Sequence, residues 1–212
     1  MVSFKVPYGR DWVEFDISSD RIIAYADLRV KQAVRSVVAE VERALRNPLG
    51  LPPLRDLVGG RESIAIIVND VTRPTPTSVL LPPLLDELRV AGVSDEHVKI
   101  IVATGLHEMN SDAEIAGIVG KDVFDKYDVT CHNPEDYKNM ISLGRSTRGT
   151  PFTFNKDVVK ADVRILIGNV EPHQLAGYTG GAKSLLPGVA SRDAIEANHS
   201  LLLSPKARVG LI

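Results

Sequence analysis

Residues 63–76 read Ser-Ile-Ala-Ile-Ile-Val-Asn-Asp-Val-Thr-Arg-Pro-Thr-Pro, and they carry the clearest structural signal in the chain. The part Ser63–Val68 is a continuous apolar run, which is typical of a parallel strand buried on both faces. Polar residues follow at once, beginning with Asn69 and Asp70. Because ligands bind beyond the carboxyl ends of strands in parallel sheets, this transition predicts a site at the end of the strand.

Two further segments repeat this pattern of a buried strand that runs directly into polar residues. His97–Ala103 is followed by Thr-Gly-Leu-His-Glu at 104–108. Asp162–Gly168 is followed by Asn-Val-Glu-Pro-His at 169–173. If these strands are parallel neighbours, their polar ends meet at one edge of the sheet, which is called the rim below.

Helices are predicted between the strands, and weaker strands elsewhere. A short N-terminal hairpin is expected from Ser3–Pro7 and Asp11–Ile17. The other predicted elements are helices at Lys31–Arg46, Thr77–Ala91, Asp112–Val119 (capped by Ser111) and near Ser191–Leu203, and strands at Asp128–Cys131, Met140–Leu143 and Thr150–Phe154. Pro82 and Pro83 are expected to bend the second helix or delay its start. This order predicts an α/β fold with a mostly parallel sheet and helices on both faces, preceded by the hairpin.

The composition excludes several classes of protein. The chain has 212 residues and a net charge of −2, whereas a nucleic-acid-binding surface normally needs a basic excess. It contains no run of about 18 apolar residues, so no membrane span is predicted. The N-terminus lacks a signal-peptide pattern, and the single cysteine, Cys131, fits a reducing compartment. The expected location is cytoplasmic.

Four residues of the rim are suited to chemistry, namely Asp70, Arg73, His107 and His173. The planar guanidinium of Arg73 matches a carboxylate or a phosphate bidentately. Asp70 is expected to orient that guanidinium or to bind a ligand hydroxyl. A surface ion pair that stiffens the loop is the alternative explanation for both residues.

The two histidines are candidates for acid–base catalysis. Histidine is the usual general acid or base near neutral pH. Placed on one rim, His107 and His173 can flank a substrate carbon from opposite faces, as a reaction that inverts a stereocentre requires. Each of them taken alone is also explained as a hydrogen-bonded structural histidine.

Residues 171–188 form a glycine-rich segment, Glu-Pro-His-Gln-Leu-Ala-Gly-Tyr-Thr-Gly-Gly-Ala-Lys-Ser-Leu-Leu-Pro-Gly. Gly177–Ser184 nearly matches the P-loop pattern, so a P-loop-like nucleotide hydrolase is one interpretation. Against it, Glu171–Ala176 separates the strand from the loop, and no clear Walker B strand follows. Lys183 is otherwise a covalent anchor with an amine activated by desolvation, or a solvated surface lysine. A non-enzymatic module that binds a nucleotide or another anion at the rim is a third interpretation.

The remaining histidines and the cysteine give weaker signals. His199 lies on the last predicted helix, where its imidazole is a possible metal ligand, although a lone helical histidine is more often structural. Cys131 and His132 have no metal-motif spacing and are interpreted as structural, as is His97.

The motifs Asp70-Val-Thr-Arg-Pro-Thr-Pro76, Ala103-Thr-Gly-Leu-His107, Glu171-Pro-His173 and Gly177–Gly188 together with His199 resemble those of the lactate racemase family. Members of that family use a nickel-pincer nucleotide cofactor. The resemblance extends from about Val68 to the end of the chain, and the combination is more specific than any single motif.

The resemblance implies a set of cofactor contacts. Lys183 is expected to carry the pyridinium ring of the cofactor through a thioamide link. His199 is expected to be the protein ligand of nickel, completing a flat site of two sulfurs and a ring carbon, which suits Ni(II). The loop around Gly180 and Gly181, together with Thr72, is expected to shape the cofactor pocket.

The resemblance also implies a reaction on a small 2-hydroxy acid such as lactate. Arg73 is expected to hold the substrate carboxylate with support from Asp70. His107 and His173 are expected to be the paired acid–base catalysts. The resemblance implies that hydride passes to the cofactor while one histidine takes the hydroxyl proton, and that the flat keto acid is then reduced on its other face with a proton from the second histidine.

Family members are longer than this chain, and a second α/β domain closes over the cofactor. Residues 1–212 are therefore expected to be the N-terminal catalytic domain of a two-domain enzyme, inactive when isolated. The implied partners are a 2-hydroxy acid and the proteins that mature the cofactor, with neither nucleic acid nor membrane. The oligomeric state stays open, a homo-oligomer included.

Overall fold

The structure is a computed structural model, and it describes residues 1–25, 31–59 and 62–210. The chain divides into two compact units, Met1–Arg35 and Ser36–Ile212. All the residues of the rim belong to the second unit.

The first unit contains the predicted antiparallel hairpin. Strand β1 (Val2–Tyr8) pairs with β2 (Asp11–Ile17) in a register that joins Val2 to Ile17 and Tyr8 to Asp11. The rings of Phe4 and Phe15 stack across the two strands with centroids 5.8 Å apart. The prediction of a hairpin is confirmed, with each of its strand boundaries within a residue of the expected one.

The second unit alternates helices and strands along the chain. In chain order, its described elements are α1 (Val37–Arg46), α2 (Leu54–Leu57), β3 (Ile64–Asn69), α3 (Thr77–Val90), β4 (Val98–Ala103), α4 (Asp112–Val119), α5 (Lys121–Lys126), β5 (Asp128–Cys131), β6 (Met140–Arg145), β7 (Pro151–Asn155), α6 (Lys156–Lys160), β8 (Val163–Leu166), β9 (Pro172–His173), β10 (Gly177–Tyr178) and α7 (Arg192–His199).

The central sheet is parallel and has the strand order β5-β4-β3-β8. Ile64 of β3 pairs with Val98 of β4 on one side and with Val163 of β8 on the other. The three strands with the clearest apolar signal are therefore direct neighbours, and their carboxyl ends lie side by side. Two small antiparallel pairs, β6 with β7 and β9 with β10, complete the described strand pairing of this unit.

Both faces of the sheet are covered, which explains why β3 shows no alternation of apolar and polar residues. Ile66 and Val68 lie in the core with Leu81 and other apolar residues of α3 and α4. Ile67 lies on the opposite face with Val158 of α6. Burial of one such side chain contributes about 1.5–3 kcal/mol, so the strand is fixed from both sides. The predicted fold class is confirmed.

Several predicted boundaries differ from the observed ones. The helix expected at Lys31–Arg46 begins at Val37, because the hydroxyl of Ser36 accepts a hydrogen bond from the backbone N–H of Ala39 and caps the helix there. The strand expected at Asp162–Gly168 is limited to Val163–Leu166.

The helices α2, α5 and α6 were not predicted, since each is too short to show a helical period. Pro82 and Pro83 lie inside α3, and they do not delay its start at Thr77. The predicted cap of α4 is confirmed: the hydroxyl of Ser111 accepts from the backbone N–H of Glu114, whose carboxylate accepts from the backbone N–H of Ser111.

Candidate active site

A cavity of about 250 Å³ opens at the rim, beyond the carboxyl ends of β3, β4 and β8. Most of the predicted site residues line it, namely Asp70, Arg73, His107, His173, Gly180, Lys183 and His199. The convergence follows from strand order, because β3 lies between the other two strands and each of the three ends in a polar segment. Asn69, Thr104 and Asn169 also line the cavity.

One side of the cavity is organised around Asp70. This carboxylate is almost fully buried, and its Oδ2 lies 2.6 Å from Nδ1 of His107. The hydroxyl of Thr72 donates to the other oxygen, Oδ1, at 2.7 Å. Because a carboxylate only accepts, Nδ1 of His107 carries a proton and the lone pair of its Nε2 is left free.

The structure gives Asp70 and Thr72 partners that the sequence did not predict. Asp70 orients the imidazole of His107, whereas the guanidinium of Arg73 makes no hydrogen bond or ion pair with any residue that the structure describes. Thr72 was expected beside a cofactor, but it is not among the residues that line the cavity. Its hydroxyl instead donates a hydrogen bond to the carboxylate of Asp70.

The other side of the cavity is built by the glycine-rich segment. His173 ends β9, which pairs with β10. Its Nδ1 accepts hydrogen bonds from the backbone N–H groups of Leu175, at 3.2 Å, and Ala176, at 3.1 Å. An accepting Nδ1 places the proton of the neutral ring on Nε2. Burial lowers the pKa of His173, and the positive charges of Lys183 and Arg73 lower it further.

Lys183 lies half-buried in the 3-10 turn Gly181–Ser184. Its ammonium group has no hydrogen-bond or ion-pair partner within the described ranges of the chain. Burial lowers the pKa of Lys183, and the charge of Arg73 adds to the effect. A lowered pKa increases the fraction of neutral amine, which is the nucleophilic form of lysine.

Gly180 is required by the shape of this segment. Its φ angle is +80°, and a Cβ at this position would lie 2.9 Å from the backbone oxygen of Asn169 and 2.9 Å from Cγ2 of Val170. A Cβ at Gly181, by contrast, would meet nothing within 4 Å. The segment can thus pass close to the end of β8 while leaving open space at the next residue.

Asn169 was missed as a site residue in the sequence. It lines the cavity, and its buried Nδ2 has no hydrogen-bond partner among the described residues. An unpaired buried donor normally costs about 1–3 kcal/mol, which favours a use for it in binding. Its place directly after the predicted strand Asp162–Gly168 was the available signal.

His199 lies exposed at the end of α7 and faces the same cavity. No group of three or more His, Cys, Asp or Glu side chains within the described ranges could hold a metal ion. A metal bound at His199 would therefore need further donors from a ligand rather than from these residues.

Cys131 ends β5 and His132 follows it, away from the cavity at the rim. His132 is 1% exposed, and its Nε2 donates to the backbone oxygen of Ala190 at 2.9 Å. Burial lowers the pKa of His132 and raises the pKa of the Cys131 thiol. Neither residue lines the cavity at the rim.

The P-loop interpretation is not supported by the geometry. In a P-loop, the phosphate-binding turn joins a strand to the N-terminus of a helix. Here β8 ends at Leu166, and residues 167–176 separate it from Gly177, where the P-loop-like sequence begins. Gly177 itself lies in β10, which pairs with β9. Lys183 is followed by the end of a short 3-10 turn and not by an α-helix.

These features define an α/β protein with cationic and imidazole side chains gathered in one cavity at the carboxyl edge of its parallel sheet. The chain belongs to the lactate racemase N-terminal domain family, whose family model matches residues 8–210. The resemblance inferred from the motifs is thereby confirmed.

Related proteins of known name agree with this assignment. A lactate racemase of Thermoanaerobacterium thermosaccharolyticum is 37% identical over 216 residues, which cover 100% of this chain and 50% of that protein. A lactate racemase of Lactiplantibacillus plantarum is 36% identical over 217 residues, covering 99% of this chain and 50% of that protein. The chain thus spans about half the length of the lactate racemases that it matches.

Two solved structures are similar to this chain. The lactate racemase apoprotein from T. thermosaccharolyticum matches with a TM-score of 0.86 at 36% identity, over 99% of this chain and 49% of that chain. A protein from Thermotoga maritima matches with a TM-score of 0.63 at 20% identity, over 78% of this chain and 41% of that chain, and shows a likeness of fold alone.

None of the helices in the described part of the chain combines the length and the apolar character needed to cross a membrane.

Proposed function

We propose that this chain is the N-terminal catalytic domain of a two-domain racemase or epimerase that acts on a small, lactate-like 2-hydroxy acid. The observation that carries the proposal is the meeting of Arg73, His107, His173 and Lys183 in one cavity. Membership of the lactate racemase N-terminal domain family supports it. The second domain would correspond to the half of the relatives that this chain does not cover.

Substrate binding is assigned to Arg73. Its guanidinium is exposed, lines the cavity and is not paired with a carboxylate of the described chain. A planar guanidinium binds a carboxylate through two parallel hydrogen bonds, which fixes the orientation of the acid as well as its position. The 2-hydroxyl of a substrate held in this way would face the histidines.

Proton transfer is assigned to the two histidines. His107 is the better base, because Asp70 holds its Nδ1–H and leaves the lone pair of Nε2 for a hydroxyl proton. The buried carboxylate also stabilises the imidazolium that forms. His173 presents its Nε2–H to the cavity as a hydrogen-bond donor for the substrate oxygen. To carry a second proton, His173 must release the two backbone amides from Nδ1.

The residues of the cavity fit a nickel-pincer nucleotide. Lys183 has a pKa lowered towards the neutral amine, as an acylation reaction requires. His199 lies in the same cavity, and the missing metal donors would come from the pincer itself. Asn169 adds a buried donor without a partner in the described chain. When bound, this group supplies the hydride acceptor for the substrate carbon.

Under this proposal, the partners are the substrate acid and the proteins that mature the cofactor. We place the enzyme in the cytoplasm, because its single cysteine is a free thiol and the proposed chemistry needs no secretion. The isolated chain is expected to lack activity, since it spans about half of each racemase that it matches.

The test uses the product of the complete reading frame that contains this chain, produced together with the cofactor-maturation proteins. Incubation with D-lactate should yield L-lactate until the two enantiomers are equal, as followed by chiral chromatography. Other small 2-hydroxy acids are tested in parallel. Failure to change the configuration of any of them, in a protein whose intact mass shows the cofactor on Lys183, would reject this class of substrate.

A further inference from the structure

The side chain of Lys183 lines the cavity at the rim, which measures about 250 Å³. It is half-buried, and its amino group has no partner in the described chain. Among the described residues that line this cavity, Asp70 is the only acidic one, and its carboxylate is already bonded to His107 and Thr72. The amine of Lys183 is therefore available to a small ligand that enters the cavity.

A second cationic side chain without a partner in the described chain, that of Arg73, lines the same cavity. Burial lowers the pKa of Lys183 and the charge of Arg73 lowers it further, so the two cations are close enough to interact. A guanidinium binds a carboxylate through two hydrogen bonds, whereas a neutral lysine amine attacks a carbonyl carbon. A small molecule that uses both groups at once carries a carboxylate and a carbonyl group close together.

The two histidines supply the other groups that carbonyl chemistry requires. Nε2 of His107 has a free lone pair, and the carboxylate of Asp70 stabilises the imidazolium that forms when this nitrogen takes a proton. Nε2 of His173 carries a hydrogen that can donate to a carbonyl oxygen and polarise it. A nucleophile, a base, a hydrogen-bond donor and a carboxylate-binding cation thus all come from side chains of this chain.

We propose that, before any cofactor is attached, Lys183 forms a reversible imine with a small 2-keto acid whose carboxylate is bound by Arg73. Such a keto acid is the oxidised form of the 2-hydroxy acid proposed above, so it has the size and charge expected of a ligand of this cavity. The inference rests on the proposed function in one respect, because it takes Arg73 to be the group that binds the carboxylate.

The reaction is a condensation in which nothing is oxidised or reduced. Nζ of the neutral amine forms a bond to the keto carbon, while Nε2 of His107 takes a proton from this nitrogen and His173 donates a hydrogen bond to the carbonyl oxygen. The second proton of the amine follows the first to that oxygen by way of His107, and the C–O bond breaks to release water. One amine and one ketone give one imine and one water, and hydrolysis reverses the reaction.

The test uses the product of the complete reading frame that contains this chain, produced without the maturation proteins so that Lys183 is unmodified. Pyruvate is added together with sodium cyanoborohydride, which reduces an imine to a stable secondary amine. Intact-mass spectrometry should then show one pyruvate-derived adduct, and peptide mapping should place it on Lys183. Methyl pyruvate, which has the same carbonyl group but no charge, is trapped in parallel to measure the reactivity of the amine alone.

Two variants separate the roles of the two cations. Lys183→Arg keeps the positive charge but has no amine that can form the imine, so the adduct should be lost. Arg73→Gln should lower the ratio of pyruvate adduct to methyl pyruvate adduct about tenfold, which corresponds to one charge-assisted contact. Lys138→Ala is the control, because Lys138 is exposed and does not line the cavity, and it should keep both the adduct and the ratio.

Circular dichroism checks the fold of each variant, and Lys183→Met and Arg73→Ala replace any variant that does not fold. The proposal would be overturned by a wild type that forms no adduct or forms it at another residue. An undiminished adduct in Lys183→Arg, or an unchanged ratio in Arg73→Gln, would overturn it as well. Racemisation needs the cofactor-loaded enzyme and is measured separately, so its failure beside a trapped imine would count against the proposed function and not against the imine.

Discussion

His107 and His173 face the same cavity, but their neighbours fix them in opposite tautomers. Nδ1 of His107 donates to the buried carboxylate of Asp70, whereas Nδ1 of His173 accepts from two backbone amides. The first ring therefore offers a lone pair at Nε2, and the second offers an N–H. Two residues of the same type thus present different groups at Nε2, because of the element on which each lies.

The same contrast separates the two sides of the cavity. On the sheet side, Asp70, Thr72 and His107 form a bonded network whose central carboxylate is buried. On the glycine-rich side, Lys183 and His199 have no side-chain partner in the described chain. One side is organised before any ligand arrives, and the other has groups that a ligand would engage.

The largest effect is expected from Lys183→Ala, which removes the reactive group of the glycine-rich side. Without the amine, no covalent link to the cofactor can form, so racemisation should fall to the background rate. Intact-mass spectrometry of protein produced with the maturation proteins should show the adduct in the wild type and none in the variant. Lys138→Ala, at an exposed lysine that does not line the cavity, should keep both the adduct and the activity. An adduct that persists in Lys183→Ala would place the attachment elsewhere.

A loss of about 10²–10⁴-fold in kcat is expected from Asp70→Asn, which breaks the network on the sheet side. The amide is nearly isosteric, but it cannot stabilise an imidazolium, and its NH2 group can turn His107 to the other tautomer. Nitrogen NMR of His107 in the chain should show the change of tautomer directly.

Asp86→Asn is the control for this variant, because Asp86 is an exposed carboxylate on α3. It should leave kcat within error of the wild type. If Asp70→Asn kept both the kcat and the His107 tautomer, the orienting role of Asp70 would be wrong.

A smaller loss, of about tenfold or less in kcat, is expected from Thr72→Val, which removes one neutral hydrogen bond to Asp70. Thr72→Ser keeps the hydroxyl and should restore most of the activity. The amount of covalent adduct should stay the same in both variants, because Thr72 does not line the cavity. A Thr72→Val protein that loses the adduct would instead support the cofactor contact expected from the motif.

The side of the cavity that is formed by the ends of the parallel strands could be predicted from the sequence. The apolar runs at Ser63–Val68 and His97–Ala103 identify buried parallel strands, and their polar ends identify the rim. The pairing of Asp70 with His107 was not predicted, because it depends on β3 and β4 being adjacent and in register. Strand order is a tertiary property that a local pattern does not contain.

The glycine-rich composition of residues 171–188 predicted that this segment contributes to the site, but the sequence did not predict its conformation. The β9–β10 pair has two residues in each strand, too few to show any period. The hydrogen bonds from Leu175 and Ala176 to His173 come from backbone amides, so side-chain identity does not predict them.

The smallest effect on activity is expected from His132→Gln, because His132 does not line the cavity. This variant extends the comparison from the two cavity histidines to a histidine buried in the core. Burial lowers the pKa of His132, so the ring is neutral in the folded protein at pH 7. In the unfolded chain its pKa is about 6.5, so below that pH the unfolded state binds a proton that the folded state does not. Its contribution to the free energy of unfolding is therefore fully present above about pH 6.5 and is lost as the pH falls towards the lowered value.

Urea unfolding of the chain at pH 5, 6, 7 and 8 measures this contribution. Between pH 6 and pH 5, the wild type should lose up to about 1.4 kcal/mol per pH unit more than His132→Gln. The variant should be less stable at pH 7, because it loses the bond to the oxygen of Ala190. Thr147→Gln, which changes an exposed residue without an ionisable group, should keep the pH slope of the wild type. Equal slopes for the wild type and His132→Gln would contradict the lowered pKa of His132 in the folded protein.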